Sequence, residues 1–220
     1  MRLRGIAILF LVCLCTTPAA AIAITEIDAN FSPITVIATS NAAAEGPSPI
    51  VQLFGASMPV QIAGPFFIEP IVEFFGTYYL WTGSDAVPAA AETGTGFFTI
   101  ATLISLHAGL SFPVSPEISL GGAIGLDFLL RFPFEFQNIT STNVADQGSG
   151  LGYFFAQGRF FYPETRAFLR WHISEPIDLI VNLRVFYPLF HAWDGSTQPF
   201  YDQMIFSGGL GFAFRLPQSK

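Results

Sequence analysis

The chain has 220 residues, of which 51% are hydrophobic and 11% are charged. A soluble domain usually shows about 25–35% charged residues on its surface, so this composition argues against an ordinary water-soluble protein. The formal net charge of −7 argues against nucleic acid as a partner, because phosphate binding needs a basic face.

The N-terminus has the pattern of a secretory signal peptide. Arg2 and Arg4 precede an apolar run, and Ala21-Ile22-Ala23 provides the small residues of a cleavage site. We therefore predict a signal peptide at 1–23 and a mature domain at 24–220. A lipoprotein cysteine at Cys13 or Cys15 is the alternative, disfavoured because the bulky Val12 and Leu14 precede them.

Cleavage at this site changes the composition. Both cysteines leave with the signal peptide, so disulfides and cysteine chemistry drop out. Nine basic residues less Arg2 and Arg4 leave seven against 16 acidic residues, a net charge of −9.

The mature chain alternates apolar and polar residues with period two, which is typical of β-strands with two different faces. Residues 97–114 are the best candidate for a membrane helix, but they are short for one and contain His107 and Pro113. Residues 151–173 alternate only if the phase changes at a bulge near 163–165. The predicted strands, in chain order, are 24–38, 49–60, 69–82, 97–114, 118–136, 151–173, 177–189 and 203–216.

The predicted connections alternate between short and long. The short ones lie near 61–67, 113–116 and 174–176. The longer, mostly polar ones lie near 39–48, 83–96, 137–149 and 191–202. An up-and-down meander of eight antiparallel strands would place every long loop at one end and both termini at the other. The predicted fold is therefore an all-β, eight-stranded antiparallel barrel.

The charge and the side-chain volume on each face of the strands indicate which face points outwards. The polar face from Thr99 to Ser111 carries no formal charge other than a possible one on His107, too little for a wall in contact with water. The opposite face carries more Phe and Leu volume than an eight-stranded interior holds. We therefore predict that the apolar face meets lipid, as in a transmembrane barrel.

With these features the chain resembles the small eight-stranded outer-membrane proteins of the OmpX, OmpW and OmpA-transmembrane kind. The resemblance is architectural and covers the whole mature chain. It implies an outer-membrane location, periplasmic termini and surface-exposed loops. Such barrels usually end on an aromatic residue, whereas here Phe214 is followed by six further residues.

Two groups of inward-facing residues are candidate functional features. The first is a charge network, which we interpret as a plug rather than an ion-selective pore because an eight-stranded lumen is narrow. It comprises Glu73, Asp127, Arg131, Arg159, Arg166, Arg170, His172, Asp178, Arg184 and Arg215. The second is an apolar mouth at the loop end, either a cup for a small hydrophobic molecule or simple packing. It comprises Tyr79, Trp81, Tyr153, Phe155, Phe186, Phe190 and Ile205.

A specific strand register follows if the last long loop closes symmetrically. Phe190 then faces Gln203, which places Asp178 directly opposite Arg215. The turn at 174–176 places Ile173 opposite Ile177, and so His172 opposite Asp178. One carboxylate would thus lie between a guanidinium and an imidazole at the periplasmic end.

The first functional hypothesis is a structural or adhesin-like membrane protein, and the second is a narrow channel or binding site for small hydrophobic molecules. A lipid A-modifying enzyme using His191, Asp194 and Ser196, or His172 and Ser174, is the third, because sequence proximity alone does not establish a nucleophile and its base. We expect no catalytic residues, metal or cofactor. The expected partners are the lipid bilayer and an extracellular ligand or hydrophobic solute, with the chain acting as a monomer.

Overall fold

A computed structural model of the chain describes residues 23–24, 26–36, 49–89, 96–135, 147–195 and 199–215. The predicted signal peptide, apart from Ala23, and the tail after Arg215 lie outside these residues. Among the segments that are described, no helix is both long and apolar enough to cross a membrane.

Eight antiparallel strands close into a barrel, which confirms the predicted fold class. Three short strands belong to the same sheet: β1 pairs with β4, and β4 and β6 each pair with β5. The strands are β1 (Ala23–Ile24), β2 (Glu26–Val36), β3 (Ile50–Ser57), β4 (Val60–Ala63), β5 (Phe66–Trp81), β6 (Ala86–Ala89), β7 (Gly96–Pro113), β8 (Ile118–Glu135), β9 (Phe161–Ser174), β10 (Ile177–Phe186) and β11 (Ile205–Arg215).

Each barrel strand pairs with the next one along the chain, and β11 pairs with β2 to complete the ring. Arg215 lies opposite Glu26, so the first and last barrel strands begin and end side by side. Short connections at 114–117 and 175–176 share this end. The opposite end, which we call the loop end, carries the connections at 37–49, 82–95, 136–160 and 187–204.

The alternation predicted from sequence is present in the burial pattern. Along β7, Thr99, Ser105 and His107 are buried, whereas Ile104 and Leu106 are exposed on the outer surface. An apolar outer wall with small or polar residues inside is the arrangement of a lipid-facing barrel.

The barrel is much taller on one side. β7 and β8 have 18 residues each, whereas β3 has 8 and β10 has 10. A tilted strand crosses a bilayer in about 9–11 residues. β5, β7 and β8 are therefore longer than one bilayer crossing requires, and β8 continues past its last pairing with β9, at Phe128 and Phe161, towards the loop end.

The segment from 147 to 160 is not a strand, so the predicted strand at 151–173 is wrong over its first ten residues. It forms helix α1 (Gln147–Phe155) followed by a 3₁₀ turn, Ala156–Gly158. β9 begins at Phe161 and keeps one phase throughout, with Tyr162, Glu164 and Arg166 all inward. The predicted bulge near 163–165 is absent from β9, because the residues before it belong to another element.

Candidate functional site: the barrel lumen

The middle of the lumen holds a buried set of ionisable side chains, which we call the central charge cluster. They occupy inward positions on five neighbouring strands, β5, β7, β8, β9 and β10. Each is at most 7% exposed. The cluster comprises Glu69, Glu73, His107, Asp127, Glu164, Arg166 and Arg184.

Arg184 joins two strands that face each other across the lumen. Its Nη1 donates to both Glu73 carboxylate oxygens at 2.7 Å. Its Nε and Nη2 donate to the two Glu164 oxygens at 2.7 and 2.9 Å. This fork-like pairing is the strongest geometry available to a guanidinium, and it spans the barrel from β5 to β10.

A second ion pair lies beside the first. Arg166 Nη1 on β9 donates to Glu69 Oε2 on β5 at 2.7 Å, so this pair also crosses the lumen to β5. Two arginines on one wall of the barrel thus bind two glutamates on the other. Burying a charge costs free energy unless it has a partner. Here the strand register places each arginine at the same level of the barrel as its glutamate partners.

Apolar layers cover the central charge cluster on both sides. The positions follow from the strands, since Phe67 precedes Glu69 and Phe75 follows Glu73 along β5. The lower apolar layer, towards the short turns, comprises Phe67, Ala123, Phe168, Ile180 and Ala213. The upper apolar layer, towards the loops, comprises Leu53, Phe75, Ala101, Leu103, Leu129, Tyr162, Phe186, Phe190 and Ile205.

Below the lower apolar layer, a second ionic group lies at the short-turn rim. Asp178 is fully buried and accepts hydrogen bonds from Arg215 Nη2 at 2.9 and 3.0 Å. His172 Nδ1 lies 2.8 Å from Asp178 Oδ1, and Arg170 lies 3.7 Å from Asp178 and 3.5 Å from Asp28. We call these five residues the rim cluster.

The predicted register is correct on one side of Asp178 and wrong on the other. His172 lies opposite Asp178, as expected, but Ile177 faces Ser174 rather than the predicted Ile173, because the register shifts between Ile177 and Asp178. Ala213, not Arg215, lies opposite Asp178, because the chain from 187 to 204 does not close as a symmetric hairpin. Phe190 belongs to a 3₁₀ helix, Leu189–Ala192, and faces no strand partner. Arg215 reaches Asp178 nonetheless, because its side chain spans the two-residue offset.

At the loop end, the described aromatic side chains pack against one another inside the barrel and do not line an open cup. Helix α1 places Phe154 inside, fully buried, with ring centroids 4.9 Å from Tyr79 and 5.7 Å from Phe97. Tyr153 meets Trp81 at 6.1 Å, and burial raises the pKa of the Tyr153 phenol. We call this group the aromatic cap. It comprises Tyr79, Trp81, Ala86, Phe97, Tyr153 and Phe154.

Phe155 was predicted in the mouth and lies outside it. It is 39% exposed and packs beside Phe132 and Phe160 at 6.5 and 6.2 Å, on the outer wall. The reason is the helix: residues 153 and 155 share a face in a strand but not in a helix. Phe186, Phe190 and Ile205 do lie inside, although in the upper apolar layer rather than at an open mouth.

Arg131 and Arg159 are paired with aromatic rings instead of carboxylates. The Arg131 guanidinium lies 4.4 Å from the Phe154 ring centroid, and Arg131 donates to the Arg159 carbonyl. The Arg159 guanidinium lies 4.3 Å from the Tyr153 ring centroid. Neither has a carboxylate within 4 Å among the residues described. Of the predicted charge network, these two therefore stand apart.

Sequence reasoning missed three members of the central charge cluster. Glu69 shares the inward parity of Glu73, and Glu164 shares that of Arg166, so simple alternation contained both signals. The false phase change near Pro163 hid Glu164. His107 was placed on the polar face, but no spacing in the sequence brings it near a carboxylate.

The loop histidine considered for catalysis also has a defined place. His191 Nδ1 lies 3.1 Å from Asp194, and its Nε2 lies 3.0 Å from the Asp202 carbonyl. Ser196 lies outside the described residues. In the part of the loop that is described, this histidine ties together the segments on either side of Ser196.

Comparisons with known proteins place the chain by fold. No protein-family model matches it, and no curated protein sequence matches it. Among solved structures, it is similar to Neisserial surface protein A (NspA), with a TM-score of 0.55 and 9% identity over 90% of this chain and 100% of that one. It is also similar to Ail, the attachment invasion locus protein of Yersinia pestis, with a TM-score of 0.50 and 11% identity over 87% and 97%. The chain therefore has the fold of the small eight-stranded outer-membrane barrels.

Proposed function

We propose that this protein is an integral outer-membrane barrel with a closed lumen, and that it works by displaying its loop end at the cell surface. In this proposal it is a structural or adhesin-like protein and not an enzyme. The signal peptide at 1–23 directs its export, and the mature chain inserts as a monomer.

The stacking of the lumen is the observation that carries the closed state. Two apolar layers lie on either side of the central charge cluster, and the charges within it are held by one another. A hydrated ion would have to pass both layers. A hydrophobic solute would have to pass the charges and displace the aromatic cap. This arrangement argues against the pore and hydrophobic-channel interpretations.

The unequal ends of the barrel support display at the loop end. The short turns offer little surface, whereas the loop end carries α1, β6 and a 3₁₀ helix that fold over the mouth. NspA is named a surface protein and Ail an attachment invasion locus protein, and a similar use of the loops is the simplest one for this fold. Ail has been crystallised with a heparin analogue, sucrose octasulfate, but the acidic balance of this chain favours a cationic or apolar partner.

Single-cysteine labelling on whole cells tests the proposed display. The mature chain has no cysteine of its own, so Phe200→Cys at the loop end and Glu175→Cys at a short turn form a matched pair; both residues are exposed. A membrane-impermeant maleimide should label Phe200→Cys on intact cells, and Glu175→Cys only after the outer membrane is permeabilised. Labelling of Glu175→Cys on intact cells, with Phe200→Cys protected, would invert the topology and refute the proposal.

A further inference from the structure

Within the central charge cluster, three side chains from adjacent strands converge on one point. His107 on β7 directs Nε2 towards Glu164 Oε2 on β9, at 3.1 Å, and towards Asp127 Oδ1 on β8, at 3.4 Å. One donor atom from each residue lies within 4.8 Å of the other two. All three residues are at most 2% exposed.

Hydrogen bonding alone leaves this arrangement incomplete. A single imidazole nitrogen has one N–H bond to donate, yet two carboxylates approach the same Nε2. Asp127 Oδ2 is also buried, and no donor within the described part of the chain meets hydrogen-bond geometry to it, although Ser105 lies directly opposite on β7. A buried carboxylate oxygen without a partner calls for an explanation, and an ion is one.

The spacing suits a tetrahedral metal. Zinc binds His nitrogen and carboxylate oxygen at about 2.0–2.2 Å, so neighbouring ligands in a tetrahedral site lie about 3.3–3.5 Å apart. The two distances from Nε2, 3.1 and 3.4 Å, are close to this edge length.

The net charge of the side chains around this point also favours a bound cation. Glu73, Asp127 and Glu164 carry three negative charges, and Arg184 carries one positive charge. With His107 neutral, as a metal ligand must be, the surplus is −2, which one divalent cation cancels. A protonated His107 would leave a surplus of −1 in a buried site.

Neighbouring groups hold the ligands in position. Arg184 binds both oxygens of Glu164, the kind of outer contact that orients a ligating carboxylate. Gly125 lets the His107 ring lie against β8: a Cβ at that position would come within 2.1 Å of His107 Cδ2 and 2.4 Å of Nε2. The ring can keep its place only because residue 125 has no side chain.

We propose that His107, Asp127 and Glu164 bind one divalent transition-metal ion, of which zinc is the best match to one imidazole and two carboxylates. The ion binds inside the lumen and joins β7, β8 and β9. Its role is structural, because the apolar layers above and below keep substrates from it.

The test uses the full mature chain refolded in lipid vesicles with zinc and dialysed against metal-free buffer. Elemental analysis should find about one zinc per chain. Cobalt in place of zinc should give visible d–d absorption bands of a tetrahedral nitrogen–oxygen site. If the wild-type protein retains no metal after dialysis, the proposal is wrong.

Two variants and one control locate the site. Asp127→Asn removes a ligand and should weaken zinc binding by at least about tenfold, since loss of even an outer partner costs that much. Gly125→Ala keeps all three ligands but displaces the His107 ring, so it should also lose zinc. Asp178→Asn makes the same chemical change beside His172 in the rim cluster and should leave zinc binding unchanged. Equal zinc content in Gly125→Ala, Asp178→Asn and the wild type would refute the site.

Discussion

Four arginines inside this barrel, three buried and one (Arg159) half-buried, are satisfied in two different ways. In the central charge cluster, Arg184 and Arg166 are bound by glutamates from the opposite wall. At the loop end, Arg131 and Arg159 lie under the rings of Phe154 and Tyr153. All four occupy a narrow lumen, so inward placement alone does not decide how a charge is stabilised. Strand register decides the first case, and the fold of a loop decides the second.

The largest expected effect comes from removing a paired guanidinium. Arg184→Met should lower the free energy of unfolding by about 3–5 kcal/mol, because Glu73 and Glu164 lose their shared partner while staying buried. Urea unfolding in lipid vesicles measures it. The double variant Arg184→Met with Glu73→Gln should recover part of the loss, and failure to recover any would show that the two residues do not interact.

The aromatic cap offers a matched pair within one helix. Phe154→Ala should cost about 3 kcal/mol, since it empties a fully buried site. Phe155→Ala, one residue further along on the outer wall, should cost less than about 1 kcal/mol in the same assay. Equal costs would mean that α1 does not insert its Phe154 side into the lumen.

The rim cluster lies between these extremes, because Asp178 is buried while the Arg215 side chain is 46% exposed. A double-mutant cycle with Asp178→Asn and Arg215→Gln should give a coupling energy of about 1 kcal/mol. Additive effects within about 0.5 kcal/mol would show that the two-residue register offset separates the pair in the membrane.

The smallest effect is expected at Arg131. Arg131→Met should change the free energy of unfolding by no more than about 1 kcal/mol, in either direction. The loss of its contacts with Phe154 is offset by the removal of a buried charge that has no carboxylate partner among the described residues. A loss as large as that of Arg184→Met would erase the distinction between the two kinds of arginine site.

The amino-acid sequence predicts the barrel better than it predicts the contents of the barrel. Strict alternation identifies the inward residues of β7, β8, β10 and β11, because each side chain direction depends only on its neighbours in the strand. Which inward side chains contact each other depends on the register between strands that are far apart in the chain. Arg184 and Glu73 are separated by 111 positions, so no local sequence pattern predicts their ion pair.

The error at residues 151–160 has a different cause. Leu151, Tyr153 and Phe155 alternate like a strand, although Gly148, Gly150 and Gly152 favour neither state. The segment folds as α1 because a helix directs Phe154 into the aromatic cap, a gain that appears only once β5 and β7 are in place. Because these residues were predicted to belong to the strand, the prediction needed a phase change near Pro163. That phase change left Glu164 out of the predicted inward residues.

In the proposed structure of the lumen, the charges are enclosed between two apolar layers and the barrel is closed to ions. Planar-bilayer recording of the refolded mature chain measures whether ions pass. We predict no steady single-channel openings in wild-type protein at neutral pH, with or without added apolar solutes. Steady, ion-selective openings from the folded wild-type barrel would contradict it.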